Sequence, residues 1–421
     1  MRRPGGAVAQ LATVGTAIAV SSALGYALLV VVGRSMSPED YGIFIAFWGA
    51  CFGLASSMST IEQEVARRGA SRDVTTPPSV GSLAASALVV AVAVGSLLLV
   101  PAVRDRVLGS ATLVVPLVVV VAGAGFAVQF ATRGLLIGRD RSRAFGGLVV
   151  AEAAVRLLAL LVVVLVAPSL SPAVAAVCVG LGAFVWLLQP RTVAELATSV
   201  RVGQARSAGR RALTLMFAAA LTAVLITGYP TLVTAVTGEA PGAAGGAAFA
   251  ALTVSRVPLL LVSPLQAVTV PAVVRWRTTT PDGGSAMIRR LVLRGGAGLV
   301  AVAVLAAAAG WLLGPWAVRL LYGEAYDVPG VAVALLVGSA CLLAGALLVS
   351  AALVGVGAHR PMTLMWLTAL GGTVVWLALA PTGVVLTTAV GSLVGPVLAL
   401  TVGTAGLLAK TAAERADRLP A

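Results

Sequence analysis

Three groups of ionisable residues lie inside apolar stretches of this 421-residue sequence, where each charge is costly and needs a chemical reason. Arg256 is the single charge in GAAGGAAFAALTVSRVPLLLVSPLQAVTVPAVV, a segment that also holds Pro258, Pro264 and Pro271. Glu152 and Arg156 stand four apart in GGLVVAEAAVRLLALLVVVLVA, a spacing that puts them on one helical face. Glu62 and Glu64 close the run SSMSTIEQEVARR, beside Arg67 and Arg68. Guanidinium carries a planar fork of donors and so suits phosphate or diphosphate. A carboxylate at membrane depth suits a coupling cation or a proton.

Each group also has a plainer reading. Glu152 and Arg156 can neutralise one another and simply fix how their helix packs. Arg256 can snorkel, or bond carbonyls freed by Pro258 or Pro264. Glu62 and Glu64 can form a solvated boundary cluster with the neighbouring arginines, and Arg34, beside Glu39 and Asp40, can anchor the opposite boundary. The candidate substrate-binding residues are therefore Arg256, Arg156 and Glu152, and the candidate gate or ion-coupling residues are Glu62 and Arg34. Cys51, Cys178 and Cys341 lie in apolar runs without ligand spacing, and the one histidine, His359, lies in a short loop. Neither a metal site nor a cofactor is expected.

The elements that carry these residues follow from composition. Hydrophobic residues make up 59% of the chain, charged residues 10%, and mean hydropathy is +1.03. Apolar runs of about 20 residues recur, the length that crosses a bilayer as a helix. The expected fold is all-α and polytopic, with about twelve membrane helices in two six-helix bundles. The opening MRRPGG imitates a signal peptide, but the apolar stretch behind it reaches Val32 and reads as the first span. Span 8 is expected to run from 243 to 274.

The net charge of +14 does not point to nucleic acid, because the arginines sit in short loops between apolar runs. Their bias toward alternate loops places both termini in the cytoplasm. The longest connection, from Pro190 to Arg211, separates bundles 1–200 and 201–421. A repeat crosses it, matching Glu39 with Glu239, Arg104 with Arg319, and Gly138 with Gly357 in unbroken order. Duplicated bundles of even span number keep one orientation and can rock about a midplane site. No loop is long enough to fold as a catalytic domain, and the outer acids are scattered, so an enzyme such as a membrane glycosyltransferase or polymerase is the weaker reading. No enzymatic activity is expected.

Several stretches resemble a known family. VVGRSMSPEDYGIFIAF is similar to the segment joining the first two spans of Wzx-type polysaccharide flippases, a branch of the multidrug/oligosaccharidyl-lipid/polysaccharide (MOP) exporter superfamily. RGLLIGRDRSRAFGGLVVAEAAVRLL and VRLLYGEAYDVPG resemble further segments of actinobacterial members. The resemblance implies a bacterial cytoplasmic-membrane transporter of MATE-like fold, working as a monomer, that moves a polyprenyl-diphosphate-linked oligosaccharide from the inner to the outer leaflet. Membrane lipids and a coupling cation or proton would be its other partners. Related lipid II flippases line their cavity with arginines, one of them on span 8, where Arg256 stands; span 1 here carries no arginine, which departs from that pattern. A multidrug or small-molecule exporter of the same superfamily is the alternative, and cationic drugs would call for cavity carboxylates.

Overall fold

A computed structural model describes residues 4–71, 79–109, 111–167, 169–238, 242–257, 259, 262–279, 285–380 and 383–416. The helices are α1 (Pro4–Ser35), α2 (Pro38–Ser57), α3 (Ser59–Ser71), α4 (Val80–Ser96), α5 (Pro101–Leu108), α6 (Val114–Gly138), α7 (Ser142–Val166), α8 (Pro172–Leu181) and α9 (Pro190–Thr198). They continue with α10 (Ala205–Ile226), α11 (Tyr229–Thr237), α12 (Ala243–Ser255), α13 (Val262–Thr279), α14 (Ser285–Arg290), α15 (Gly296–Tyr322), α16 (Gly330–Gly355), α17 (His359–Leu379) and α18 (Val384–Ala416). Among the described residues, ten helices are long and apolar enough to cross a membrane. An eleventh span arises if 172–188 and α9, bent by 80°, count together. The chain packs as two compact units, Met1–Gly246 and Ala247–Ala421.

Local chemistry sets the helix starts. Ser37 caps α2 by accepting from the Asp40 amide at 3.2 Å, Pro38 supplies the first helical φ, and Glu39 and Asp40 face the positive helix end. Ser79 and Ser171 cap α4 and α8 in the same way. The segment SMSPED thus contains a helix N-terminus.

In the first unit α6 is the hub, packing on α3, α4 and α8. Small residues allow this. A Cβ at Gly134 would overlap the carbonyl oxygen of Glu62, and one at Gly138 would lie 3.1 Å from the Ala70 amide. The Gly134/Gly138 pair therefore seats α6 directly on α3, a use of the small-xxx-small pattern. In the second unit α16 has the matching place, against α13, α15 and α18.

The two hubs also end alike. After α6, the Asp140 amide bonds Ile137 O at 3.0 Å and the Arg141 amide bonds Leu136 O at 2.9 Å. After α16, Gly357 bonds Val354 O at 3.0 Å and Ala358 bonds Leu353 O at 2.8 Å. Both are Schellman caps with a left-handed residue, Asp140 at φ 61° and Gly357 at φ 71°. Gly138 accordingly matches Gly355, not Gly357. The shared cap thus pairs the two hubs two residues away from the register that glycine identity suggests. Glu239 lies outside the described residues.

Span 8 departs from expectation. It is not one helix over 243–274: α12 stops at Ser255 and α13 starts at Val262, with Arg256 in the turn between them. Pro258 lies beyond the end of α12, where its missing amide and bulky ring make continuation unfavourable. The excess length, over 30 residues where about 20 suffice, was the sign of a break.

Gly134→Ala should lower stability by about 1–3 kcal/mol, because the new methyl meets backbone that can yield only by separating α3 from α6. Gly147→Ala, with open space around it, should be neutral or stabilising. Thermal unfolding of the two purified variants in detergent checks the contrast.

Candidate functional site

Four charged residues from three helices of the first unit meet in one polar chain. Glu62 on α3 comes first, and its carboxylate Oε2 lies 3.0 Å from Arg133 Nε of α6. This is an ion pair without an aligned hydrogen bond, since neither atom makes one. Arg133 Nη1 then reaches Glu152 Oε2 of α7 at 3.6 Å. Glu152 accepts from Arg156 Nη2, one turn further along α7, and from the amide Nε2 of Gln129 on α6. The order is carboxylate, guanidinium, carboxylate, guanidinium, and the charges cancel.

Helical spacing explains the convergence. Phe126, Gln129 and Arg133 recur at three- and four-residue steps on α6, and Phe145, Glu152 and Arg156 recur at seven and four on α7. Aromatic rings flank the guanidinium groups. The Arg156 carbon stands 4.6 Å from the Phe52 ring centroid and 5.4 Å from that of Phe126. Arg133 stands 4.7 Å from Phe130 and 5.3 Å from Phe145. Ring faces attract the cations and keep water away from the ion pairs. A Cβ at Gly182 would overlap the Arg156 Nε, so the missing side chain there makes the room that Arg156 occupies.

Burial falls along the chain. Gln129 is fully buried, and side-chain exposure rises from 9% at Arg156 and 12% at Glu152 to 16% at Arg133 and 18% at Glu62. Gln129 Oε1 and Arg156 Nε are buried and make no hydrogen bond in the structure. Such orphaned atoms in a polar pocket are ordinary positions for ordered water. Glu64 faces away from this chain, because two residues along a helix turn it by about 200°. It bonds Arg67 at 3.0 Å and Arg68 at 2.7 Å, and lies 3.6 Å from Arg211 of α10.

The residues singled out from the sequence thus separate. Glu62, Glu152 and Arg156 come together. Arg34, exposed in the last turn of α1, does not join them. Ser35 beside it accepts from the Leu170 amide at 3.3 Å, just past the end of α7, roughly 20 Å along that helix from Glu152. Arg256 belongs to the second unit and is half-buried; its carbonyl accepts from the Leu259 amide at 2.9 Å. Arg133 and Gln129 were missed. Arg133 lies near the end of span 4 and reads as another boundary arginine, but it shares a face with Gln129 and Phe126, which was the available signal.

No family model matches the sequence. Uncharacterized protein Rv3630 of Mycobacterium tuberculosis (strain H37Rv) is 30% identical over 411 residues, covering 94% of this chain and 92% of that one. Uncharacterized protein Rv1510 of the same strain is 30% identical over 413 residues, covering 96% and 93%. This chain belongs to the family of these mycobacterial proteins. For the family's fold, solved structures give the likeness. An inward-facing multidrug resistance MATE family transporter of the MOP superfamily aligns at TM-score 0.65 with 15% identity, over 93% of this chain and 95% of that one. The eukaryotic MATE transporter AtDTX14 aligns at 0.60 with 13% identity, over 98% and 99%. A Pyrococcus furiosus MOP transporter, described by a reverse polarity of its binding pocket, aligns at 0.57 with 15% identity, over 95% and 96%. This member of the mycobacterial family is a multi-pass membrane protein with the fold of MATE transporters.

Glu152→Leu should cost about 3–5 kcal/mol, because it leaves buried guanidinium groups without their shared carboxylate. Glu152→Leu/Arg156→Leu should recover much of that loss, since the double change removes the orphaned charge with its partner. Exchanging the pair, with arginine at 152 and glutamate at 156, should fail, because it sets a guanidinium beside Arg133. Melting temperatures of the variants in one detergent decide between this and an isolated pair, for which the exchange would be silent.

Proposed function

We propose that this protein flips a polyprenyl-diphosphate-linked oligosaccharide from the inner to the outer leaflet of the bacterial cytoplasmic membrane. In this reading it is a Wzx-type member of the MOP superfamily, active as a monomer by alternating access, with both termini in the cytoplasm. The observation that supports it is Arg256 at the break between α12 and α13. Interrupted spans bring unwound backbone and helix ends to the substrate region of transporters. Here the positive N-terminal end of α13 and a guanidinium both border the break, and the apolar segment 242–274 contains no acid. Together they suit a diphosphate, with the glycan in the aqueous path and the prenyl tail in lipid.

Export of cationic drugs is the competing reading within the same fold. It lacks a carboxylate to offer in the first unit's polar chain, since Glu62 and Glu152 both lie against arginines. The substrate charge need not be that of the multidrug transporters: the Pyrococcus furiosus protein is described as having a different function along with its reversed pocket polarity. A coupling proton or cation would enter the chain at Glu62, its more accessible end, with Arg133 compensating the change in charge.

Arg256→Ala should abolish export and cause lipid-linked glycan to accumulate on the cytoplasmic side. Arg256→Lys should restore only part of it, because an ammonium lacks the bidentate fork. Normal export by a well-expressed Arg256→Ala protein would remove Arg256 from the mechanism. Glu62→Gln should uncouple transport from an imposed ion gradient in proteoliposomes while leaving the melting temperature within a few degrees; gradient-driven transport at full rate would rule Glu62 out as the coupling group.

A further inference from the structure

The first unit contains an apolar cavity apart from the polar chain. It has a volume of about 480 Å³ and lies between α2, α4, α6, α10 and α11. That is within the size range of a small-molecule site, roughly 300–1,000 Å³. Leu54, Val90, Met216, Ala220 and Val224 make up much of its wall. Two hydroxyls reach the wall, and both are already committed: Ser57 Oγ donates to Leu54 O at 2.6 Å and Thr231 Oγ1 to Ala46 O at 2.7 Å. Water needs two to four polar partners to settle in a cavity, and this wall offers only the acceptor lone pairs of those two hydroxyls among its side chains. At its edges Leu97 of the α4–α5 junction and Phe217 of α10 are 57% and 64% exposed, as expected of side chains that meet lipid.

One end of the cavity carries a cation. Ala235, near the end of α11, lines the cavity and its carbonyl accepts from Arg106 Nε of α5 at 2.7 Å. Arg106 Nη2 donates to Val236 O at 3.1 Å. Gly238, left-handed at φ 71°, ends α11 and leaves room for the guanidinium, whose carbon would stand 3.4 Å from a Cβ there. The fork is thus laid over the negative end of α11 while the residue remains exposed at the boundary of the span. Its neighbour Arg104 is paired with Asp105 at 2.8 Å. An apolar slot that opens beside a fixed guanidinium has the charge layout of a phospholipid: hydrocarbon inside, phosphate at the rim.

We propose that this cavity binds one acyl chain of a phospholipid whose phosphate rests on Arg106. The lipid belongs to the leaflet that α5 faces, the outer one in the orientation given by the arginine bias, and it fills the seam between α4 and α10. It is a structural ligand, separate from the transported substrate.

The full-length protein is reconstituted in nanodiscs containing a phosphatidylglycerol with a diazirine in its acyl chain, irradiated, and mapped by peptide mass spectrometry. Adducts should concentrate on the α2, α4 and α10 walls, exceeding by about tenfold those on Leu305 and Leu312, which stand exposed on α15. Ala220→Phe and, from the opposite wall, Val90→Trp should each remove most cavity adducts while leaving the α15 adducts unchanged. Arg106→Gln should weaken labelling several-fold. Wall adducts no denser than those on α15, or insensitive to both filling substitutions, would overturn the site. Full labelling in Arg106→Gln would overturn the headgroup contact. Displacement by polyprenyl phosphate but not by excess unlabelled phospholipid would overturn the choice of occupant.

Discussion

The close seat of α6 on α3 is the constraint from which the first unit's polar chemistry follows. Without a side chain at Gly134, the Glu62 carbonyl lies against the α6 backbone, and the Glu62 carboxylate is carried to Arg133. Arg133 in turn calls for Glu152, because a guanidinium held among Phe130, Phe145 and packed helices is costly to bury without a counter-ion. Glu152 then has a second cation, Arg156, and a neutral donor, Gln129, around one carboxylate. Each member is tolerable only because the next is present. The outcome is a charge-neutral chain through a low-dielectric interior, stable as a set and most vulnerable at Glu152, the carboxylate between two guanidinium groups.

The polar chain has no counterpart in the second unit when the two hub helices are set side by side by their caps. Aligning the matched ends of α6 with α16 and α7 with α17 puts Ala346, Ser350, Ala369 and Thr373 where the first unit has Gln129, Arg133, Glu152 and Arg156. Those positions are served by neutral contacts: Ser350 accepts from Trp366 Nε1 at 3.2 Å, and Thr373 bonds back to Ala369 O at 2.9 Å. The same hub-and-neighbour packing therefore holds with charges and without them. Packing alone thus does not require an ionised core.

Much of this was legible in the sequence, because membrane helices and their polarity are written in long, regular patterns. The Glu152–Arg156 pair followed from a spacing of four. What escaped was set by depth and direction, which residue spacing near a helix end conveys poorly. Arg133 lies five residues before the end of α6, close enough to the boundary to pass for a loop cation, yet it turns inward with Gln129. The repeat register was misplaced because Asp140 and Gly357 do the same work at a left-handed cap although their types differ. Identity drew the match to the wrong glycine, and only the hydrogen bonds of the cap placed it.

The break at Arg256 and the chain around Glu152 show two ways of keeping a guanidinium within an apolar segment, with different consequences. Arg156 lies on an intact helix and its charge is met by an acid one turn away, so an incoming anion would have to compete with Glu152 inside a nearly dry pocket. Arg256 stands where the helix is interrupted, is half-buried, and has no acid in its own apolar segment. The backbone on either side of it keeps short-range bonds, from the Arg256 amide to Thr253 O at 3.3 Å and from the Leu259 amide to Arg256 O at 2.9 Å. A phosphate recognised at Arg256, as proposed, would meet a guanidinium beside a helix end, whereas one at Arg156 would first have to displace Glu152.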